Sequence, residues 1–180
     1  MVVLKFQSDS KDHLTYQLFA ASMSKRIKKK RFRSKIIIPI LYMLLGILFI
    51  FSGSIVLAIA FILVAILWFL FYPKFERNRY LKHYQSFVTE NFKDQGLSKI
   101  ELNEETIHIE EELGESKIHV KKISEINEIE NYLFIMFGPG KGLIIPTNKI
   151  ENLSDLTKWI TDTSEKYGIK KNYYPDWRWK

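Results

Sequence analysis

Hydrophobic positions along the chain fall into two regimes. Residues 36–72 form one apolar run without Asp, Glu, Lys, Arg or His, and the segments on either side carry charge throughout. Written as one helix, these 37 residues would extend roughly 55 Å at 1.5 Å per residue. The hydrocarbon core of a bilayer is only about 30 Å thick. Ser52-Gly53-Ser54, three small turn-forming residues, stand midway and divide the run into helices over 36–51 and 55–71. The pattern predicts a two-helix transmembrane hairpin. Trp68, Phe69, Phe71 and Tyr72 close the second helix, where amphipathic rings favour the bilayer interface. Folding the hairpin about Gly53 sets Gly46 opposite Ala60, small residues that allow close helix approach.

Before the hairpin, residues 2–6 alternate weakly and predict a strand. Ser8 or Asp9 is placed to cap a helix, its side-chain oxygen accepting a free backbone N–H. Leu14, Leu18 and Ala21 recur at helical spacing, and the helix is expected from about Lys11 to Arg33, nearly continuous with the first span. After the hairpin, residues 76–92 read as a helix that Gly96 stops.

The period then changes to two. Ile100/Leu102, Ile107/Ile109 and Ile118/Val120 alternate with polar residues, as half-buried strands do. A turn at Leu113-Gly114 would pair Ile107 with Val120 and Ile109 with Ile118, and would set His108 across from His119. A second hairpin joins 126–129 to 132–137 about Glu130-Asn131. Residues 132–137 are apolar on both faces, so that strand is central, or one face meets a helix or the bilayer. Gly138-Pro-Gly-Lys-Gly142 turns the chain into 143–146. A final helix over 153–167 has Asn152 as cap, Gly168 as stop and Leu153, Leu156, Trp159, Ile160 and Tyr167 as its apolar stripe.

The expected fold class is therefore an α+β membrane protein. A two-helix transmembrane hairpin carries a small antiparallel β domain closed by a C-terminal helix, in the order of a pleckstrin-homology-like fold. Four segments follow: 1–35 (strand, helix and basic juxtamembrane stretch), 36–72 (hairpin), 73–168 (cytoplasmic α+β domain) and 169–180 (aromatic-basic tail).

Composition sharpens this picture only when it is divided. A mean hydropathy of −0.10 would suit a soluble protein, and the formal net charge is +7. Eight cations without an acid lie in one stretch: Lys25, Arg26, Lys28, Lys29, Lys30, Arg31, Arg33 and Lys35. Lys74, Arg77, Arg79 and Lys82, less Glu76, add three more, and the first 24 residues are neutral. Residues 83–180 are therefore net −4. Basic character at both outer ends of an apolar hairpin orients a membrane protein with those ends in the cytoplasm. A nucleic-acid binder would spread its cations over a folded surface. The eight cations either bind anionic headgroups or serve only to set the orientation, the simpler of the two readings.

Candidate chemistry is sparse. The chain has no cysteine, which excludes disulfides, thiolate metal sites and cysteine nucleophiles. No cleavable apolar leader stands in the first 24 residues. His108 and His119 lack an evident third ligand and read as solvated sheet-face residues. The glycine-rich loop at 138–142 joins two strands and lacks the spacing of a phosphate loop. Glu110, Glu111, Glu112 and Glu115 on the first hairpin oppose a polyphosphate ligand. The tail interleaves Tyr173, Tyr174, Trp177 and Trp179 with Lys170, Lys171, Arg178 and Lys180. It reads as an interfacial anchor, an aromatic-basic strip for single strands, or a segment packed on its own domain. The candidate membrane-surface residues are the eight cations together with Trp177 and Trp179.

The order of an N-terminal helix, a basic segment, a hairpin ending in Tyr72-Pro73-Lys74 and a strand-rich domain resembles the YcxB-like family of bacterial membrane proteins. The local similarity is best over 116–150, through Ile123-Ser-Glu-Ile126, Tyr132-Leu-Phe-Ile135 and Ile144-Ile145-Pro146. The chain departs from the family at Val120, where a Trp is common, and at Ile150, where an aromatic is common. The resemblance implies architecture and location, with no catalytic residues to carry over.

Neither a nucleophile motif nor paired carboxylates in an apolar setting supports catalysis, so an enzyme is not expected and no cofactor is implied. The leading expectation is a membrane-anchored, non-catalytic interaction module in the cytoplasmic membrane, multi-pass, with both termini cytoplasmic. An immunity or stress-resistance protein against a membrane-acting toxin is the alternative. A channel or transport accessory ranks last, because the spans hold no ionisable residue. Expected partners are the lipid bilayer with anionic lipid at the basic flanks, a protein of unassigned identity and, as a further candidate, a second copy of the chain. Nucleic acid is not expected.

Overall fold

The computed structural model describes residues 1–92, 96–111 and 114–180. The chain is α+β, with two long apolar helices and two four-stranded sheets. It divides into one unit of Met1–Ala20 with Tyr84–Trp179, and a second of Ala21–His83 with Lys180.

The first unit opens with strand β1 (Val2–Gln7), followed by helix α1 (Ser10–Met23), whose last turn lies in the second unit. Strands β2 (Leu97–Leu102), β3 (Thr106–Glu111) and β4 (Gly114–His119) complete one antiparallel sheet in the order β1-β2-β3-β4. Strands β5 (Glu125–Ile129), β6 (Tyr132–Gly138) and β7 (Lys141–Pro146) form an antiparallel meander. Helix α4 (Leu153–Tyr167) follows, and then strand β8 (Lys170–Tyr174), which pairs parallel to β5 to give the order β7-β6-β5-β8. Leu4, Ile100, Leu102 and Ile107 from one sheet meet Ile126, Leu133, Ile135 and Ile145 from the other, with Leu156, Trp159 and Ile160 of α4, in one core.

Strand β6 explains its own composition. Leu133 and Ile135 enter the shared core, while Phe134 on the opposite face meets Tyr16 and Phe19 of α1 at ring distances of 5.5 and 4.9 Å. Both alternatives raised by its apolar pattern hold together: the strand is central, and one face meets a helix. Gly168 ends α4 in the left-handed conformation at φ 66°, which favours a residue without Cβ.

Several sequence expectations need correction here. His108 lies across from Lys117 and His119 across from Thr106, while Ile107 faces Ile118 and Ile109 faces Ser116. Each β3 residue pairs two positions earlier on β4 than expected, and a shift of two preserves which face each side chain occupies. Leu113, in the expected turn, and Glu112 lie outside the described residues. Leu153 is exposed, and its place in the α4 stripe passes to Thr163 and Ser164. Asn152 holds the cap position of α4 without a side-chain capping bond. The antiparallel domain does not end at α4, because β8 adds a parallel edge.

The second unit is built on helices α2 (Lys25–Phe51) and α3 (Ile55–Asn91, whose last turns belong to the first unit). The expected helix to Arg33 is broken at Ser24, which caps α2 by accepting the Ile27 N–H at 3.4 Å. The expected second helix from Glu76 is not separate, since α3 runs through Pro73; a proline deletes one ladder bond and leaves the others. The turn falls at Ser52–Ser54, with Gly53 at φ 78°, a value that side chains with Cβ resist.

Gly46, Ala58 and Ala65 let the two helices approach along a seam that Pro39 and Tyr72 extend. Pro39 and Gly46 are buried seven residues apart on α2, and Ala58, Ala65 and Tyr72 at the same interval on α3. This spacing suits helices crossing at a shallow angle. Gly46 therefore faces Ala58 and Ile62 rather than Ala60, which is exposed. Two residues turn a helix by about 200°, so Ala58 and Ala60 cannot share the seam.

Candidate functional site

Within the second unit, the apolar part of both helices ends at one level. Trp68 donates from Nε1 to the Ser34 carbonyl at 3.4 Å, and Lys35 Nζ lies 4.6 Å from the centre of the Phe69 ring. Trp68 and Tyr72 stack at 4.8 Å. One turn further, Glu76 is 3% exposed, accepting from Tyr72 Oη at 3.1 Å and from Arg31 Nε at 3.1 Å. The carboxylate is thus held by a cation and a phenol where the apolar spans stop.

The sequence-derived cations divide by this geometry. Arg31 and Lys35 are half-buried against α3, whereas Lys25, Arg26, Lys28, Lys29, Lys30 and Arg33 are exposed. Lys74, Arg77 and Arg79 continue the exposed basic surface on α3. At the tail, Lys170–Tyr174 forms β8, and Trp177 packs edge-on against Phe19 with ring centres 5.6 Å apart. Trp179 is half-buried. Asn172 donates to Asn127 Oδ1 at 2.9 Å. Because Asn127 is 1% exposed, this pair fixes the register of β8, which a bare alternation of side chains does not specify.

A second polar cluster, invisible to sequence spacing, lies in the first unit. Asp9 and Asp12 cap α1 reciprocally, each backbone N–H donating to the other's carboxylate at 2.9 Å. Lys149 reaches Asp9 at 2.8 Å and Asp12 at 2.7 Å, and Tyr132 Oη donates to Asp12 at 3.1 Å. Asp12 is 1% exposed. Burial pushes the Asp9 carboxyl up, but the Lys149 ammonium and the Asp12 N–H outweigh it and hold the group below its usual 3.8. Burial likewise pulls Lys149 down, yet both carboxylates raise it above its usual 10.5.

The signs set a pH window. A depressed acid contributes stability above its unfolded pKa, and that contribution is lost as pH falls through the folded value. A raised base contributes below its unfolded pKa and loses that contribution as pH rises through the folded one. The cluster is therefore expected to hold the first unit steadily between about pH 4 and pH 10, weakening outside these limits. Hydrogen exchange of β6 across pH, with correction for intrinsic exchange rates, checks this.

Tyr16 supplies a contrasting case. Its hydroxyl is buried without a hydrogen-bond partner, and burial pushes its pKa up to about 12. Tyr16→Phe removes the unpaired oxygen and keeps the ring on Phe134. It is expected to stabilise the unit by about 1 kcal/mol, read as slower exchange of the β6 amides.

Among the described residues, no group of three or more His, Asp or Glu is placed to hold a metal ion. His108 instead lies 3.4 Å from Glu115 and 3.9 Å from Glu101 on the outer face of the first sheet. The glycine-rich loop is the turn between β6 and β7, with Gly138 paired to Lys141.

The stretch from the end of β2 to the middle of α4 carries the similarity to known proteins. Residues 102–160 match the YcxB-like protein family. The matched segment contributes β3 and β4 of one sheet and β5, β6 and β7 of the other, and includes Tyr132 and Lys149. The basic stretch, the hairpin and β8 lie outside it. No curated protein and no solved structure matches the chain.

Proposed function

We propose that the chain is a membrane-anchored, non-catalytic interaction module. The hairpin crosses the cytoplasmic membrane twice, and both termini and the YcxB-like unit stand on the cytoplasmic side. One observation carries the proposal. Only 11% and 17% of the apolar windows of α2 and α3 are buried, so Leu41, Leu44, Leu48, Ile59, Leu63 and Leu70 face outward. Exposed apolar surface on this scale needs a covering medium, and lipid chains supply it. The shared boundary at Ser34–Trp68 and the cations beyond it favour the cytoplasmic side for the charged ends.

A four-stranded sheet, a three-stranded meander and α4 around one core support a pleckstrin-homology-like reading of the first unit. Among the described residues no strand pairs with the outer edge of β4, and its residues 114–117 are exposed, which suits strand addition by a protein partner. Two measurements test the module. The chain should stay in the membrane fraction at alkaline pH, and a photoreactive residue at Ser116 should give a discrete adduct in cells. Release of the chain at alkaline pH, or only diffuse adducts, would contradict it.

A further inference from the structure

We infer that Lys25, Arg26, Lys28, Lys29, Lys30 and Arg33, arrayed around Phe32, form a binding surface for anionic phospholipid headgroups. The inference rests on the proposal that the hairpin spans the bilayer, and it names the partner of its basic end. All six cations are exposed, and Phe32 is 65% exposed. Among the described residues none of the six pairs with a carboxylate, whereas Arg31 is taken by Glu76.

Their arrangement selects the kind of anion. At 100° per residue the six cations and Phe32 cover an arc of about 200° around α2. Cations that radiate over such an arc do not converge on one small anion, which a discrete phosphate site requires. They suit a surface of many phosphates. The axial position agrees. Residues 25–33 precede the apolar run at Ile36 and rise about 12 Å along the helix. The nearer ones fall in the headgroup layer, some 5–7 Å thick on each side. The farther ones stay within about one Debye length of it. Phe32 adds an apolar contact at the depth where rings settle at the interface.

The test uses the full chain in phosphatidylcholine vesicles carrying trace spin-labelled phosphatidylglycerol or spin-labelled phosphatidylcholine. The motionally restricted lipid should favour phosphatidylglycerol about fivefold at low salt. The preference should fall toward parity in about 1 M sodium chloride, where charge is screened within about 3 Å. The variant K25Q/R26Q/K28Q/K29Q/K30Q/R33Q, still resistant to alkaline extraction, should show no preference. An unchanged preference in that variant overturns the inference. If the variant does not insert, the salt series decides, and a preference indifferent to salt overturns it. Phosphate replacing chloride at equal ionic strength should have no added effect, and selective competition by phosphate would instead mark a small-anion site. Release of the wild-type chain from vesicles at alkaline pH would reject the membrane proposal itself, a result distinct from insertion without lipid preference.

Discussion

Lys149→Met is expected to lower the opening free energy of the first unit by about 3–5 kcal/mol. Lys149 is the cation that both Asp9 and Asp12 reach. Asp9 is half in solvent, with a side chain 54% exposed, and tolerates the loss. The Asp12 side chain is 2% exposed and would keep only Tyr132 and a backbone N–H to support a buried charge. Removing one partner of a buried pair costs far more than the pair contributes net, because the other charge is left stranded. Asp12→Asn in the same chain removes that charge, so the double variant should be less damaged than Lys149→Met alone. Hydrogen exchange of the full chain in nanodiscs measures this on the β6 amides. Equal protection in wild type and Lys149→Met would show that Asp12 does not depend on its cation.

Gly46→Leu is expected to separate α2 and α3. A Cβ at Gly46 would lie 2.9 Å from Ile62 Cγ1 and 3.3 Å from the Ala58 carbonyl oxygen. The first contact can shift with a rotamer, but the second is backbone and yields only if the helices part. Overpacking of this kind costs about 1–3 kcal/mol, and between two helices that bury so little of their apolar surface no other burial offsets it. Tyr42 and Phe61 face one another with ring centres 5.8 Å apart. Spin labels on cysteines at these two positions should broaden one another's continuous-wave spectra in the parent chain, and the broadening should weaken with Leu at 46 as the helices part. Gly46→Ala, with a smaller intrusion, should fall between the two.

The parts of this molecule written in local pattern were legible without coordinates. The turn at Gly53 follows from an apolar run too long for one crossing, and the β5–β6 hairpin from two apolar segments on either side of Glu130-Asn131. The stop at Gly168 follows from glycine after an amphipathic helix. Features that depend on partners distant in sequence were not. Ile107, Ile109, Ile118 and Val120 alternate equally well in two registers, so the pattern alone does not separate His108 facing His119 from His108 facing Lys117. Strand β8 reads as a charged tail because a short edge strand buries little, and its register is held by Asn172 on Asn127. The Asp9–Asp12–Lys149 cluster joins residues about 140 apart, and no spacing announces it. The basic candidates on α2 were visible as a charge run. Their division into Arg31, committed to Glu76, and an exposed arc around Phe32 needed the second helix in place.

Topology decides the central claim. The chain has no native cysteine, so single cysteines at Ser54, in the turn between the spans, and at Ser116, on β4, can be read without background. An impermeant thiol reagent applied to intact cells should label the cysteine at 54 and leave the one at 116 unlabelled until the membrane is opened. Labelling at 116 but not at 54 would contradict the account by placing the first unit outside.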